Sequence, residues 1–215
     1  MKNGSEKYLD MVNALCDDSK TTNMMEKLFA KDPITFYHSQ RVGHLSKKFT
    51  DWLQLDLATT SNIHVGALLH DIGKLMINDS ILKKTGPLTK MEYNLIKEHP
   101  NIGGKIVKPC SFPNSIVNII KFHHERWDGE GYPKGLSKKD IPYEARLVCV
   151  VDAFDAMVVN RIYTKEKKTI SDALQELLDC ANSQFDPSIV DEFVLFVNKS
   201  SFEQDFFKWY HNNII

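Results

Sequence analysis

The stretch HHERWDGEGYP at residues 123–133 places two adjacent histidines at the end of an apolar, helix-like segment. Other histidines and aspartates occur in similar apolar surroundings along the chain. In chain order, the set is His38, His70, Asp71, His99, His123, His124 and Asp152. Imidazole and carboxylate ligands together suit iron, manganese or zinc, and more than four of them indicate two ions. The sequence therefore predicts a metal centre that supports metal-assisted hydrolysis.

The size and charge of the chain exclude several other classes of protein. Its 215 residues fit one domain with a sizeable core. A net charge of −1 provides no basic field for a nucleic acid polymer or an anionic membrane. No apolar run approaches the roughly 18 residues of a membrane span, and the start lacks the apolar core of a signal peptide. The four cysteines form no CxxC pair, which predicts reduced thiols in a cytoplasmic protein.

Apolar residues at helical spacing dominate the chain. Asp32 and Pro33 mark the start of one helix, because aspartate caps a helix and proline is tolerated in its first turn. One face of that helix carries His38, Val42, Leu45 and Phe49. Ser61 is the predicted cap of the helix that delivers the histidine–aspartate pair.

A second set of signals lies in the middle of the chain. Thr89 and Glu92 match a capping box and predict a helix that runs to His99, where Pro100 breaks it. Residues 145–160 are ambiguous, since their β-branched run has strand propensity while the length favours a buried helix. The whole pattern predicts a single all-α helical bundle. We expect an N-terminal helical segment over residues 1–30 and one domain, with C-terminal helices, over residues 31–215.

The motifs together resemble one known family. His70-Asp71 followed by Gly73-Lys74, and the glycine–tyrosine–proline that ends HHERWDGEGYP, look like the HD-GYP subgroup of HD-domain metal-dependent phosphohydrolases. Further matches, in the family's order, are His38-Ser39 with Arg41-Val42, Leu68-Leu69, Gly86-Pro87-Leu88-Thr89, His99, Asp152 with Phe154-Asp155-Ala156, Arg161 and Phe185-Asp186-Pro187. The resemblance implies an HD-domain-type bundle with a dinuclear metal site in its core.

The resemblance also implies an activity and residue roles. Members of the subgroup hydrolyse cyclic di-GMP to pGpG and often on to GMP. The seven histidines and aspartates would be the metal ligands, with Asp71 bridging the ions. Lys74 and Arg161 would bind substrate, and Lys74 would join Asp71 in catalysis. Asp155 would contact substrate or support a ligand, and Tyr132 would shape the mouth of the site or a partner surface.

One position departs from the family pattern. Some members carry a glutamate four residues before the first ligand histidine, where it supports a third metal. Ile34 occupies that position here, and an isoleucine cannot coordinate. We therefore expect two divalent ions per chain, with iron or manganese favoured, and we expect pGpG more firmly than GMP.

Two other functions remain open on the sequence alone. The same centre could hydrolyse another nucleotide or cyclic dinucleotide, or the chain could be a non-catalytic cyclic-di-GMP-binding signalling module. Loss of ligands would mark the second case, and none is lost. Beyond the substrate, the expected partners are a GGDEF-type diguanylate cyclase or an adaptor bound through the GYP loop, and a homodimer is left open. Because the histidine ligands must be deprotonated, activity is expected to fall as the pH drops through about 6.5.

Overall fold

A computed structural model describes residues 19–159, 169–199, 201–202 and 208–209. Within them the fold is all-α, as predicted, and the one β feature is an isolated bridge between Ala181 and Phe185. The α-helices are α1 (Lys20–Lys31), α2 (Pro33–Trp52), α3 (Leu57–Leu69), α4 (Asp79–Leu82), α5 (Lys90–Ile96), α6 (His99–Val107), α7 (Asn114–Phe122), α8 (Tyr143–Val159), α9 (Ile170–Asp179) and α10 (Pro187–Val197). Short 3-10 helices cover Ile72–Met76, Lys108–Cys110 and Lys138–Asp140.

Two predicted helix starts are confirmed by their hydrogen bonds. The Asp32 carboxylate accepts from the backbone N–H groups of Ile34 and Thr35 at 3.2 and 3.4 Å, at the start of α2. Thr89 and Glu92 form the reciprocal capping box of α5. The ambiguous apolar segment is helical throughout α8. Its continuous apolar run reflects burial on several sides of one helix rather than a strand.

Two other predicted boundaries are wrong. α3 begins at Leu57 rather than Ser61, because the Asp56 carboxylate accepts hydrogen bonds of 3.0 Å from two backbone N–H groups of the first turn. α5 ends at Ile96, and Pro100 lies in the first turn of α6. Proline is tolerated there because the first N–H groups of a helix have no intrahelical partner. Pro100 therefore helps to open a helix instead of ending one.

Two hydrophobic cores organise the helices. The larger core lies between α2, α8, α9 and α10 and includes the fully buried Phe49 and Phe154. The smaller core lies between α1, α6 and α7 and includes Met24. α3 contributes Ala67 to the larger core and Leu69 to the smaller one. The residues that follow α3 therefore lie at the seam between the two cores.

The cysteines do not all behave as predicted. Cys149 and Cys180 are free, but Cys110 forms a disulfide, so the prediction of reduced thiols is wrong for Cys110. Lys20, at the start of α1, donates a hydrogen bond of 2.8 Å to the Cys110 carbonyl, so the beginning of the described chain runs beside a residue 90 positions away.

Three other predictions concern a membrane span, Arg161 and the division into domains. In the ranges that the structure describes, no helix is long and apolar enough to cross a membrane, as expected. Arg161 lies outside the described residues. The division into residues 1–30 and 31–215 stays a prediction.

Candidate metal centre

The seven predicted ligands lie together at the seam between the two cores. Two of them, His38 and Asp152, lie on the sides of α2 and α8. Four follow the ends of helices, with His70 and Asp71 after α3 and His123 and His124 after α7. The last, His99, is the first residue of α6. Four of the seven are buried and the other three are partly exposed. The centre is therefore enclosed by the fold and still accessible from solvent.

Three of these side chains form what we call the first half-site: His38, His70 and Asp152. One ligand atom from each lies within 4.8 Å of the others. Nε2 of His38 is 2.9 Å from Oδ1 of Asp152, and Nε2 of His70 is 3.8 Å from the same oxygen. Two imidazoles and one carboxylate converging on one point can hold a divalent cation.

The second half-site consists of His99, His123 and His124, whose ligand atoms also lie within 4.8 Å of one another. Nε2 of His99 is 3.2 Å from Nε2 of His123. The ring of His124 is 5.0 Å from that of His99 and 4.1 Å from that of His123, between centroids. Three imidazoles at this spacing provide a second set of nitrogen ligands.

Asp71 lies between the two half-sites. Its Oδ1 is 3.2 Å from Nε2 of His99 in the second half-site. Its Oδ2 is 3.4 Å from Nε2 of His70 in the first. Asp71 is only 2% exposed, and its Oδ1 accepts no hydrogen bond from any described residue. A buried carboxylate oxygen without a donor is costly, and a cation on each side of Asp71 would satisfy it. The donor set therefore fits a pair of divalent ions.

Lys74 is the cation nearest to this carboxylate, with its Nζ 2.6 Å from Oδ2 of Asp71. Burial opposes ionisation of Asp71, but Lys74 and His70 outweigh it and hold the pKa of the carboxyl well below its usual range. Asp71 is therefore charged and available as a ligand at any physiological pH. The role expected for Lys74 beside the reacting phosphate stays a prediction.

A close backbone contact brings Asp71 and His99 together. Gly73 lies in the 3-10 turn after α3 and packs directly on the first turn of α6. A methyl group at Gly73 would overlap the His99 carbonyl oxygen and lie 2.7 Å from the Gly103 nitrogen. Only glycine leaves room for this approach. The glycine of the His-Asp-x-Gly-Lys motif is thus explained by packing.

Asp155 lies behind the centre, on the side of His38 that faces away from the other ligands. Its Oδ2 is 2.8 Å from Nδ1 of His38, and Arg41 donates to both of its oxygens at 2.8 and 2.9 Å. Asp155 is fully buried. Of its two expected roles, these contacts favour support of a ligand over contact with substrate, because both oxygens are engaged by protein groups. Such a carboxylate fixes the tautomer of a ligand histidine and presents its Nε2 to the metal.

Burial keeps most of the ligand imidazoles neutral. It lowers the pKa of His99 to about 3 and that of His124 to about 4, and it lowers the pKa of His123 well below its usual range. These three groups stay deprotonated at pH values where a free imidazole is already charged. The sequence predicts a loss of activity near pH 6.5. For the second half-site we now expect protonation of the imidazoles, and the loss of activity that it causes, at a lower pH.

His38 behaves in the opposite way. Burial disfavours its charged form, but the hydrogen bonds to Asp152 and Asp155 prevail and raise the pKa of His38 to about 10 in the absence of an ion. A cation entering the first half-site must therefore displace a proton from this imidazole.

The GYP loop covers the second half-site. The ring of Tyr132 stacks on that of His124 at 4.8 Å and 30°. Nζ of Lys97 lies 4.6 Å from the centre of the Tyr132 ring. Burial raises the pKa of the Tyr132 hydroxyl, which therefore stays protonated. Tyr132 thus lies directly against the second half-site, and the role expected for it at the mouth of the centre stays a prediction.

Sequence reasoning assigned no role to Arg41, Lys97 or Glu125. A signal was present for two of them. Arg41 lies one helical turn after His38 in an apolar helix, where an isolated arginine needs a buried partner, and Glu125 directly follows the histidine pair. The partner of Arg41 is 114 positions away, and Glu125 accepts from backbone N–H groups 9 and 11 positions away, so only the fold could identify these contacts.

Comparisons with known proteins identify the family of the chain. Residues 23–189 match the family model described as HD domain. The chain is 35% identical over 195 residues to a cyclic di-GMP phosphodiesterase of Thermotoga maritima, covering 90% of this chain and 52% of the relative. It is 41% identical over 154 residues to the cyclic di-GMP phosphodiesterase response regulator RpfG of Xanthomonas campestris pv. campestris, covering 71% of this chain and 40% of the relative.

A solved structure shows the same fold. The cyclic GMP-AMP-specific phosphodiesterase V-cGAP3 of Vibrio cholerae superposes with a TM-score of 0.62 at 18% identity, covering 94% of this chain and 50% of that one. The chain spans about half, or less, of the length of these relatives. The HD domain model nevertheless covers most of the chain, including all seven clustered ligands. The chain belongs to the HD domain family and, within it, to the HD-GYP subgroup.

Proposed function

We propose that this chain hydrolyses cyclic di-GMP to pGpG, with one divalent ion at each half-site. The position of Asp71 carries the proposal, because its two oxygens face the two half-sites at 3.2 and 3.4 Å from their nearest imidazole nitrogens. The names of the relatives support the substrate. Members of the HD domain family bind divalent metals, and this His/Asp cluster is able to hold them.

Different residues would contribute different parts of phosphodiester hydrolysis. Divalent ions held by these ligands would supply Lewis acidity and a nucleophilic water. Asp71 would be the ligand that the two ions share, and the buried rings around it limit access of bulk water. The Lys74 ammonium, 2.6 Å from Asp71, can donate to a phosphate oxygen or to the departing oxygen as negative charge develops. Tyr132 borders the opening through which the nucleotide enters.

The finer properties of the centre belong to this proposal. We propose two ions, because the two half-sites share no residue, and a third possible ligand group, His70, Asp71 and His123, overlaps both of them. Ile34 lies one helical turn before His38, and its aliphatic side chain has no ligand atom for a third ion. Iron or manganese is favoured by the family resemblance and by the mixture of nitrogen and oxygen ligands. Substrate binding by Arg161, docking of a GGDEF-type cyclase on the GYP loop, a homodimer and a cytoplasmic location stay predictions.

The test is a product assay on protein loaded anaerobically with Fe(II) or Mn(II). The protein is incubated with cyclic di-GMP, the products are separated by chromatography over time, and the metal content is determined on the same sample. We expect pGpG to accumulate and about two ions per chain. A parallel incubation with a mixed GMP–AMP cyclic dinucleotide and with pGpG compares the alternative substrates.

Each outcome of the product assay has a distinct meaning. Faster hydrolysis of the mixed dinucleotide would retain the metal-dependent phosphodiesterase and replace its substrate. Rapid formation of GMP would contradict the consequence drawn from Ile34. Tight binding of cyclic di-GMP without turnover, in protein with both ions bound, would replace the enzyme by a binding module.

Metal binding should release one proton from His38. Since the pKa of this imidazole is raised to about 10, it is charged at neutral pH until an ion takes Nε2. Between about pH 7 and 9, the affinity of the first half-site should therefore rise about tenfold per pH unit. Calorimetric titration with Mn²⁺ in buffers of different ionisation enthalpy measures the released proton.

His44 provides the matched control for this proton count. It lies on the same helix, α2, and burial lowers its pKa to about 4, so its imidazole is uncharged near neutral pH. The variant His44→Gln should release the same proton as the wild type. A binding heat that is independent of the buffer would contradict the role of His38.

A further inference from the structure

Four of the five clustered histidines are held through Nδ1. His38 is bonded to the Asp155 carboxylate, and the other three contact backbone carbonyls of their own segments. These contacts are His70 to Ala67 at 2.7 Å, His99 to Ile96 at 2.8 Å, and His123 to Ile119 and Ile120 at 3.1 Å each. A partner at Nδ1 fixes the tautomer and the orientation of the ring, which leaves Nε2 for a metal.

His124 is the exception. Its ring nitrogens make no hydrogen bond with any described residue, and it is partly exposed. What touches it instead is the ring of Tyr132, stacked at 4.8 Å and 30°. The backbone adds a second link, because the N–H of Tyr132 donates to the His124 carbonyl at 3.1 Å. Tyr132, in the GYP loop, therefore contacts His124 through its ring and its backbone, whereas the other four histidines have a hydrogen-bond partner at Nδ1.

The loop itself is fastened by Glu125, the residue after His124. Its carboxylate is 2% exposed and accepts from the backbone N–H groups of Lys134 and Leu136 at 2.7 and 3.0 Å. A methyl group at Gly131 would overlap the Arg126 nitrogen and lie 2.6 Å from the Glu125 Cα. The loop can therefore follow the histidine segment closely only with glycine at this position. The segment 124–126 therefore carries the His124 ring and also holds the loop that carries the Tyr132 ring.

We infer that the GYP loop is a structural part of the second half-site: the Tyr132 ring, fastened by Glu125, positions His124 for metal binding. Tyr132 acts here through its aromatic face rather than its hydroxyl. Lys97, whose ammonium lies 4.6 Å from the Tyr132 ring centre, links the same ring to the segment that precedes His99. The inference rests on the proposed two-ion centre and does not depend on which nucleotide is hydrolysed.

The test uses Mn²⁺ alone, titrated into the full chain and followed by calorimetry or by electron paramagnetic resonance. Tyr132→Leu, which keeps apolar bulk without a flat ring, should weaken one of the two ions about 10- to 100-fold. Glu125→Gln should do the same, since the amide cannot accept at both positions. Tyr132→Phe keeps the ring and should bind both ions like the wild type. Thermal melting of each variant establishes that it is folded.

A double variant locates the effect. Asp155→Asn disturbs His38 and should weaken the ion of the first half-site. Combined with Tyr132→Leu, it should weaken both ions, because the two changes act on different half-sites. A double variant that still binds one ion tightly would overturn the inference. So would a Tyr132→Leu variant that binds both ions tightly, or a Tyr132→Phe variant whose Mn²⁺ affinity is as low as that of Tyr132→Leu. The titration contains no nucleotide, so its result is separate from success or failure of cyclic di-GMP hydrolysis.

Discussion

Replacing Asp71 by asparagine is expected to lower kcat by about 10³-fold, or roughly 4 kcal/mol in the barrier. The reason is geometric. Asp71 presents one oxygen to each half-site, whereas an asparagine has one oxygen and an amide that cannot coordinate a cation. The two half-sites would then share no ligand, and Lys74 would lose the carboxylate at 2.6 Å that holds it in place. Steady-state hydrolysis of cyclic di-GMP, with metal content determined on each sample, measures the effect.

Asp79→Asn provides a matched control for that variant. Asp79 is also a carboxylate beside lysine, at 2.9 Å from Nζ of Lys83, but it is exposed and is not one of the clustered ligands. Its replacement should leave the rate and the metal content unchanged, because exposed ion pairs contribute little. An Asp71→Asn enzyme within about tenfold of the wild-type rate would contradict the shared-ligand role.

Gly73→Ala should give the largest loss of stability among substitutions by a single methyl group. The added carbon would overlap the His99 carbonyl oxygen and crowd the Gly103 nitrogen at 2.7 Å, and neither backbone atom belongs to a flexible side chain. We expect a loss of about 3 kcal/mol, since overpacking at a rigid contact moves the backbone. For a chain of this size, that lowers Tm by about 6–12 °C. Activity should also fall, because α6 would move His99 away from Asp71.

Gly86→Ala tests whether that effect comes from the contact or from the loss of glycine. A methyl group at Gly86 meets nothing within 4 Å. This variant should differ from the wild type by less than about 0.5 kcal/mol in the free energy of unfolding. Thermal denaturation of both variants gives the comparison, and equal Tm values for the two would refute the packing argument for Gly73.

Four of the clustered side chains could be predicted as candidate ligands because they lie in two short motifs of unusual composition, whereas His38 and His99 became candidates only through their place in the whole set. A histidine pair after an apolar helix, or a histidine–aspartate pair before glycine, is costly to bury unless it binds a cation. The all-α fold could be predicted from apolar spacing and from two caps, at Asp32 and at Thr89, that act within a few residues. Local hydrogen bonds of this kind can be inferred from sequence because both partners are close together in it.

Other features could not be predicted, because their cause lies between distant residues. Arg41 and Asp155 are 114 positions apart, and only the packing of α2 on α8 shows that Asp155 is engaged behind His38 rather than facing the substrate.

The cap of α3, in contrast, could have been inferred from the sequence, since Asp56 precedes Ser61 and its carboxylate is the stronger acceptor. The raised pKa of His38 and the lowered pKa of His99 depend on burial and neighbours that the sequence does not reveal.

Because the ligands lie at the seam between the two cores, the supply of metal should govern how long the folded chain survives. Without ions, the seam consists of imidazoles and carboxylates that are costly to bury. Ions that bind only the native state stabilise it by about 2.7 kcal/mol when their free concentration is a hundred times Kd. A cell starved of metal would hold a larger unfolded fraction, which proteases remove. The abundance of the folded chain would then follow the supply of metal.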